Sequence, residues 1–139
     1  MQDRVDAVAA TMARFKGRPF RWGSVDCAKL GAFHLRRMGH HQGLGLAKAG
    51  TYRSALGARR AIERAGHASI AAALDGIGLP RIPPAAALPG DVMLSDGTEG
   101  LEALAIYAGN GAALGFHEDA AGAEVIRIAD WSDMKAWRL

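Results

Sequence analysis

The sequence contains a single cysteine, Cys27, among its 139 residues. One cysteine excludes an internal disulfide bond and a zinc site built on several cysteines. Long apolar runs are also missing, since stretches such as Ile70–Leu74 fall far short of the roughly 20 residues that a membrane-spanning helix needs. The first residues contain no apolar segment of the kind found in secretory signals. We therefore expect the chain to be made in the cytoplasm, and to leave it, if at all, as part of an assembly.

Neither sign of charge is in large excess. The chain carries 17 lysines and arginines against 14 aspartates and glutamates, a formal net charge of +3. This balance permits attraction to anionic partners without identifying one, and nucleic acid is the least supported partner class. Half of the residues are hydrophobic and 22% are charged, as in ordinary globular domains. Because the chain has no internal repeat and no dividing linker, we expect one domain over residues 1–139.

The first half of the chain carries the pattern of helices. One apolar stripe at helical spacing predicts a helix over Asp3–Lys16. The stripe consists of Val5, Val8, Ala9, Met12 and Phe15. A second helix begins after Ser24, the expected N-cap, which places Cys27 in its first turn. The apolar face of that helix carries Cys27, Leu30, Gly31, His34, Leu35 and Met38.

Two shorter helices are expected farther on, with Thr51 and Ser69 as their N-caps. Prolines then favour an extended connector over Pro80–Pro89. After Gly90 the pattern changes to short apolar segments separated by turns, which is typical of an antiparallel sheet. The expected strands are Asp91–Leu94, Leu101–Ala108, Ala112–Phe116 and Glu124–Ile128, followed by a short helix and a last strand within Trp131–Leu139. Helices first and strands afterwards predict an α+β fold.

Three segments follow one another along the chain in an informative order. They are Phe20–Cys27 (FRWGSVDC), Leu88–Leu94 (LPGDVML) and Leu104–Gly111 (LAIYAGNG). In this order they resemble the nucleophile motif, the Pro-Gly-Asp first strand and the Val-Gly-Ile-Tyr hairpin of the NlpC-type papain-like peptidases, which cleave peptidoglycan peptides. The resemblance covers residues 18–128 and is strongest to small members encoded in tail modules of prophages and gene-transfer agents.

This resemblance implies a papain-like α+β fold, with N-terminal helices packed on a small antiparallel sheet. It also implies that Cys27 is the catalytic nucleophile, and a helix N-terminus favours the thiolate that a nucleophile needs. Ala103 stands where the family has its catalytic histidine, with Glu102 beside it. His117 falls where the family places a third polar residue, so it is the candidate base. A lone cysteine on an apolar helix face is also commonly a core residue.

The other histidines favour no metal or cofactor. His34 lies on the apolar face of the second helix, where a buried, hydrogen-bonded role is expected. His40 and His41 are adjacent in a glycine-rich loop, where their side chains diverge, and no second ligand cluster lies nearby. The loop over residues 43–50 lacks the Lys-Ser/Thr ending of a phosphate-binding loop. We expect neither a bound metal nor a cofactor.

Two functions therefore remain open at the level of sequence. In the first, the chain is a phage-tail-associated cysteine hydrolase of peptidoglycan stem peptides, with Cys27 as nucleophile and His117 as base. In the second, it is a catalytically degenerate structural or adaptor subunit of a phage-like tail tip, and other tail proteins are its partners. The retained Asp-Cys motif favours the first function, and Ala103 favours the second. Either function places the chain in a virion or tail-like particle after synthesis.

Overall fold

The computed structural model describes residues 1–40, 52–96, 101–116 and 122–139. Its helices are α1 (Gln2–Phe15), α2 (Cys27–Arg37), α3 (Ala55–Arg64) and α4 (Ile70–Gly76). Its strands are β1 (Arg81–Ile82), β2 (Val92–Ser95), β3 (Ala103–Gly109), β4 (Ala112–Gly115), β5 (Glu124–Arg127) and β6 (Lys135–Trp137). The helices precede the strands, so the predicted α+β class is confirmed.

The strands form one six-stranded sheet in the order β1-β6-β2-β3-β4-β5, and every neighbouring pair is antiparallel. β6 comes last along the chain yet lies between β1 and β2. Its Trp137 is fully buried, and the indole Nε1 donates a hydrogen bond to Asp75 Oδ1 at 2.8 Å. The Arg81 guanidinium lies over the same indole and is also paired with Asp75. These contacts fasten β6 to α4 and β1.

α2 packs directly on β3 because Gly31 leaves room for the strand. A Cβ atom on Gly31 would lie 2.7 Å from Leu104 Cδ1, closer than real side chains approach. The buried residues of α2 are Cys27, Ala28, Leu30, Gly31, Ala32, His34 and Leu35. The predicted apolar face is therefore confirmed except at Met38, which is only half-buried. This packing brings the first turn of α2 against the sheet.

α1 buries a face that differs from the predicted stripe. Val8 and Phe15 are buried as predicted. Val5, in contrast, is 44% exposed, and Thr11 is completely buried. The Thr11 hydroxyl lies 2.9 Å from the Ala7 carbonyl oxygen and 2.8 Å from His34 Nδ1. Because these partners satisfy the hydroxyl, a polar residue occupies a position that an apolar pattern does not assign to the core.

The N-caps of α3 and α4 are serines. Ser54 caps α3, and its Oγ accepts a hydrogen bond from the Gly57 N–H at 3.0 Å. The predicted cap Thr51 lies outside the described residues. Ser69 caps α4 as predicted, accepting from the Ala72 N–H at 3.0 Å. Each hydroxyl satisfies one of the N–H groups that the first turn of a helix leaves without a partner.

The connector over Pro80–Pro89 is less extended than predicted. It contains β1 and a short 3₁₀ turn at Pro84–Ala86. Pro84 opens this turn, where the N–H that proline lacks would have no intrahelical partner in any case. Residues 131–134 form a turn and not the predicted short helix, while the predicted last strand is present as β6. None of the helices in the described ranges is both long enough and apolar enough to cross a membrane.

Asp91 joins α1 and β6 to the start of β2. Its carboxylate is completely buried and accepts a hydrogen bond from the Leu88 N–H at 2.8 Å, which is a turn role. Arg138 Nε donates to it at 2.9 Å, and Arg4 forms an ion pair with it at 2.9 Å. A buried carboxylate needs such partners because an isolated charge is costly to remove from water.

Candidate functional site

The turn before Cys27 requires a glycine at position 23. Gly23 has a φ of +84°, and a Cβ atom there would lie 2.5 Å from the main-chain oxygen of Tyr52. A side chain would therefore be strained in its own conformation and would also collide with backbone. The Gly23 N–H donates to Asp26 Oδ2 at 2.8 Å, which closes the turn. The glycine of the Trp22-Gly23 pair thus has a direct structural reason.

Asp26, and not the predicted Ser24, is the N-cap of α2. Its Oδ1 accepts a hydrogen bond from the Lys29 N–H at 2.8 Å. The prediction of Ser24 was wrong because the Asp26 carboxylate reaches the preceding turn and the first helical turn at the same time. Cys27 is consequently the first residue of α2, two positions earlier in the helix than expected.

The Cys27 thiol is enclosed by protein. The residue is only 9% exposed, and its Sγ lies 3.8 Å from the main-chain oxygen of Glu102, to which the thiol donates. Burial raises the pKa of the Cys27 thiol to about 11, although the Leu104 N–H opposes this rise and the Asp26 charge adds to it. The expected direction was the opposite. The helix terminus does favour the thiolate, but the loss of water around the sulfur outweighs it.

The start of β3 faces the thiol, as the resemblance to the hydrolases implies. Glu102 turns its main-chain carbonyl toward Cys27, and its side chain points to α4, where Oε1 accepts from the Ala71 N–H at 3.2 Å. Ala103, the next residue, has no group that exchanges a proton. The described group that faces the thiol from the start of β3 is therefore a main-chain carbonyl.

His34 is a structural histidine, as predicted. Its ring is completely buried, with Nε2 at 2.7 Å from the Gly90 carbonyl oxygen and Nδ1 at 2.8 Å from the Thr11 hydroxyl. Burial lowers the pKa of His34, and the Gly90 carbonyl opposes this shift. Both ring nitrogens are engaged by partners that join α1, α2 and the start of β2. Neither nitrogen is available to Cys27.

His117 and His41 lie outside the described residues. The residue before His117, Phe116, is described by the structure. The Phe116 ring lies 5.3 Å from the Phe20 ring, and Phe20 in turn lies 4.7 Å from Trp22, both in edge-to-face geometry. Phe20 is 43% exposed. This aromatic cluster joins the end of β4 to the segment that leads into Cys27.

The sequence did not reveal that Tyr52 lies against the turn before Cys27. Tyr52 is only 6% exposed, and its hydroxyl has no hydrogen-bond partner among the described residues. The Asp26 carboxylate lies near the hydroxyl and interacts with it electrostatically. Burial raises the pKa of Tyr52 above its usual value, and the negative charge of Asp26 raises it further. Lys29 Nζ lies 5.9 Å from the centre of the ring. A lone tyrosine after a glycine-rich segment gave no signal, because its role depends on contacts that are distant in sequence.

The described residues contain no cluster of metal ligands. Over the ranges that the structure describes, no three histidine, cysteine, aspartate or glutamate side chains come close enough together to hold an ion.

The model of the family described as "Domain of unknown function (DUF6950)" matches residues 1–139. No curated protein matches the chain. One similar solved structure is RipD from Mycobacterium tuberculosis, described as a non-catalytic NlpC/p60 domain protein with an adaptation to peptidoglycan-binding function. It is 22% identical, with a TM-score of 0.51 over 98% of this chain and 97% of RipD. At this identity the likeness concerns the fold, and the predicted NlpC-type fold is confirmed.

Proposed function

This chain belongs to the DUF6950 family, described as a domain of unknown function, and we propose that it is a catalytically inactive NlpC/p60-type domain that binds peptidoglycan stem peptides. One observation carries the proposal. The Cys27 thiol faces the main-chain oxygen of Glu102 at 3.8 Å, on the side where a cysteine hydrolase needs a base.

The protonation of Cys27 supports the inactive state. With a thiol pKa of about 11, only about one molecule in 10⁴ carries a thiolate at pH 7. Hydrolysis of an amide needs that thiolate, and it also needs an acid to protonate the leaving amine. Ala103 can supply neither group. The domain would therefore keep the fold and the ligand surface of a hydrolase without its chemistry.

The binding part of the proposal is supported by RipD, which shares the fold and whose description combines absent catalysis with peptidoglycan binding. The aromatic cluster of Phe20, Trp22 and Phe116 adds a local argument. Phe20 is exposed on the segment that leads into Cys27, so a bound peptide could place its apolar groups against this ring.

We also propose the assembly in which the domain acts, because the sequence resembles proteins encoded in tail modules of prophages and gene-transfer agents. The domain would act as a structural or adaptor subunit of a phage-like tail tip, in contact with other tail proteins, and would hold the tip against the cell wall. Mass spectrometry of purified tail-like particles from a host that encodes the chain tests this proposal. Particles that lack the chain would contradict it.

Purified peptidoglycan tests the function directly. The wild-type protein should sediment with insoluble peptidoglycan, and mass spectrometry of the supernatant should show no released peptides. Cys27→Ala should sediment equally well, because the thiol contributes no covalent step. Failure of the wild type to sediment would refute the binding proposal.

A second candidate function is the cysteine hydrolase with His117 as base. The contact between Phe116 and Phe20 favours this function, because Phe116 directly precedes His117 and lies beside the segment that leads into Cys27. The imidazole would take the thiol proton, the thiolate would attack the peptide carbonyl, and the imidazolium would return the proton to the leaving amine. Peptide release by the wild type that is lost in both Cys27→Ala and His117→Ala would establish this function in place of the inactive one.

A further inference from the structure

The Tyr52 hydroxyl is a buried polar group without a hydrogen bond of good geometry to any of the described residues. The residue is 6% exposed, and among the described residues no donor or acceptor satisfies its oxygen. Native structures rarely leave a buried hydroxyl in this condition, and such a group calls for a specific explanation. A ligand that completes the hydrogen bond is one explanation that the surroundings of Tyr52 allow.

Those surroundings are the nucleophile turn. Gly23 lies against the Tyr52 main-chain oxygen, and Cys27 and Tyr52 belong to the same buried cluster. The Asp26 carboxylate lies near the hydroxyl, and its two oxygens accept the N–H groups of Gly23 and Lys29. The unpartnered hydroxyl therefore lies at the site where a hydrolase of this fold would hold its peptide.

We propose that the Tyr52 hydroxyl is a ligand-binding group of the Cys27 site, and that it forms a hydrogen bond with an uncharged amide group of the bound peptide. This inference rests on the proposed binding of stem peptides. A hydroxyl both donates and accepts, and an amide offers a carbonyl and an N–H, so either half of the amide satisfies it. The Asp26 carboxylate repels a carboxylate or phosphate of the ligand, and the Lys29 ammonium over the ring disfavours a second cation.

Entry of the ligand requires a side chain to move, because the hydroxyl is covered in the free protein. Lys29 is suited to this movement. Its side chain lies across the Tyr52 ring, is half-buried, and is long and flexible. Its main-chain N–H donates to Asp26, and this hydrogen bond does not involve the ammonium group. The helix start can therefore remain intact while the side chain moves aside.

Tyr52→Phe tests the inference, because it removes the hydroxyl and keeps the ring. A synthetic stem tetrapeptide, titrated calorimetrically, should bind this variant about five- to tenfold more weakly than the wild type. Its melting temperature should be equal to that of the wild type or higher, because the free protein loses no hydrogen bond. Loss of affinity without loss of stability is expected of a hydroxyl that forms its hydrogen bond only in the complex with the ligand.

Tyr107→Phe is the matched control. The Tyr107 hydroxyl accepts a hydrogen bond from the Gly111 N–H at 3.0 Å, and the ring lies in the other buried cluster of the sheet. This variant should melt at a lower temperature than the wild type and bind the tetrapeptide with unchanged affinity. The pair thus separates a hydroxyl with a ligand role from one with a structural role.

The outcomes are distinguishable. Equal affinity of wild type and Tyr52→Phe would overturn the inference and leave the proposed function standing. A melting temperature of Tyr52→Phe that falls as far as that of Tyr107→Phe would also overturn it, because the hydroxyl would then have a partner within the free protein. No binding of the tetrapeptide by the wild type would overturn the proposed function, and the inference with it.

Discussion

The thiol of Cys27 and the main-chain carbonyl of Glu102 face each other at 3.8 Å. This contact joins the first residue of α2 to the residue before β3, which are the two elements from which a papain-like hydrolase builds its nucleophile and base. A carbonyl oxygen accepts the thiol proton in a hydrogen bond, but it cannot remove that proton. The Glu102 carbonyl therefore gives the thiol a hydrogen-bond partner but not a base.

Slow alkylation of Cys27 is the first prediction. Because burial raises its pKa to about 11, the rate with iodoacetamide should stay low at neutral pH and rise only in strongly alkaline solution. Mass spectrometry of the labelled protein follows the rate against pH without further variants, since Cys27 is the sole cysteine. Unfolded protein in urea is the control and should show the ordinary pKa of a cysteine. Rapid labelling near pH 6 that disappears in His117→Ala would instead reveal a working base.

The stability of the protein should fall as the pH decreases below the usual pKa of histidine. The pKa of His34 is lowered in the folded state, so between that lowered value and about 6.5 the unfolded chain binds more protons. Stability therefore rises with pH through this window and is lost toward its acid end. Other charges near the ring act in both directions, since Arg4 lowers the pKa and Asp91 raises it.

Urea denaturation at pH 7.5, 6.5 and 5.5 measures this dependence. His34→Gln should be less stable at every pH, by about 1–3 kcal/mol, because the Thr11 and Gly90 partners lose good geometry. Its stability should also depend less on pH than that of the wild type. His67→Gln is the control and should keep the wild-type slope. Identical slopes in wild type and His34→Gln would contradict the prediction.

Gly23→Ala should destabilise the fold more than Gly39→Ala. Both glycines have positive φ values, +84° and +93°, so each variant strains the backbone by about 1–2 kcal/mol. A Cβ atom at position 39 meets nothing within 4 Å, whereas at position 23 it meets the Tyr52 main-chain oxygen at 2.5 Å. The collision should add about 1–3 kcal/mol to the loss in free energy of unfolding. Equal losses in chemical denaturation would show that the turn before Cys27 relaxes freely.

Local patterns predicted the elements better than their ends. Helical spacing of apolar residues located α1 and α2, and alternating turn signals located the strands after Gly90. The N-cap of α2 was missed because Ser24 and Asp26 are both good caps, and only the turn made by Gly23 decides which oxygen reaches the helix. Thr11 was left out of the predicted apolar stripe because its burial depends on His34, which lies on another helix.

The candidate site was likewise predicted from the sequence only in part. The order of three short motifs predicted that Cys27 would begin a helix against the sheet, and that the strand beside it would carry Ala103 in place of a histidine. Sequence spacing also predicted a core role for His34. Tyr52 and the main-chain oxygen of Glu102 escaped prediction, because a backbone carbonyl carries no residue signature and a tyrosine becomes a site residue only through its neighbours.

By itself, the sequence determined the succession of helices and strands, the position of the lone thiol and the absence of an imidazole at residue 103, since all of these depend on residue type and short spacing. The tertiary structure alone decided that the thiol is kept protonated. Burial and the partners of the sulfur set its pKa, and both arise where α2 meets β3, 75 residues apart along the chain. A helix terminus can be recognised from neighbouring residues, but the water that long-range packing removes from it cannot.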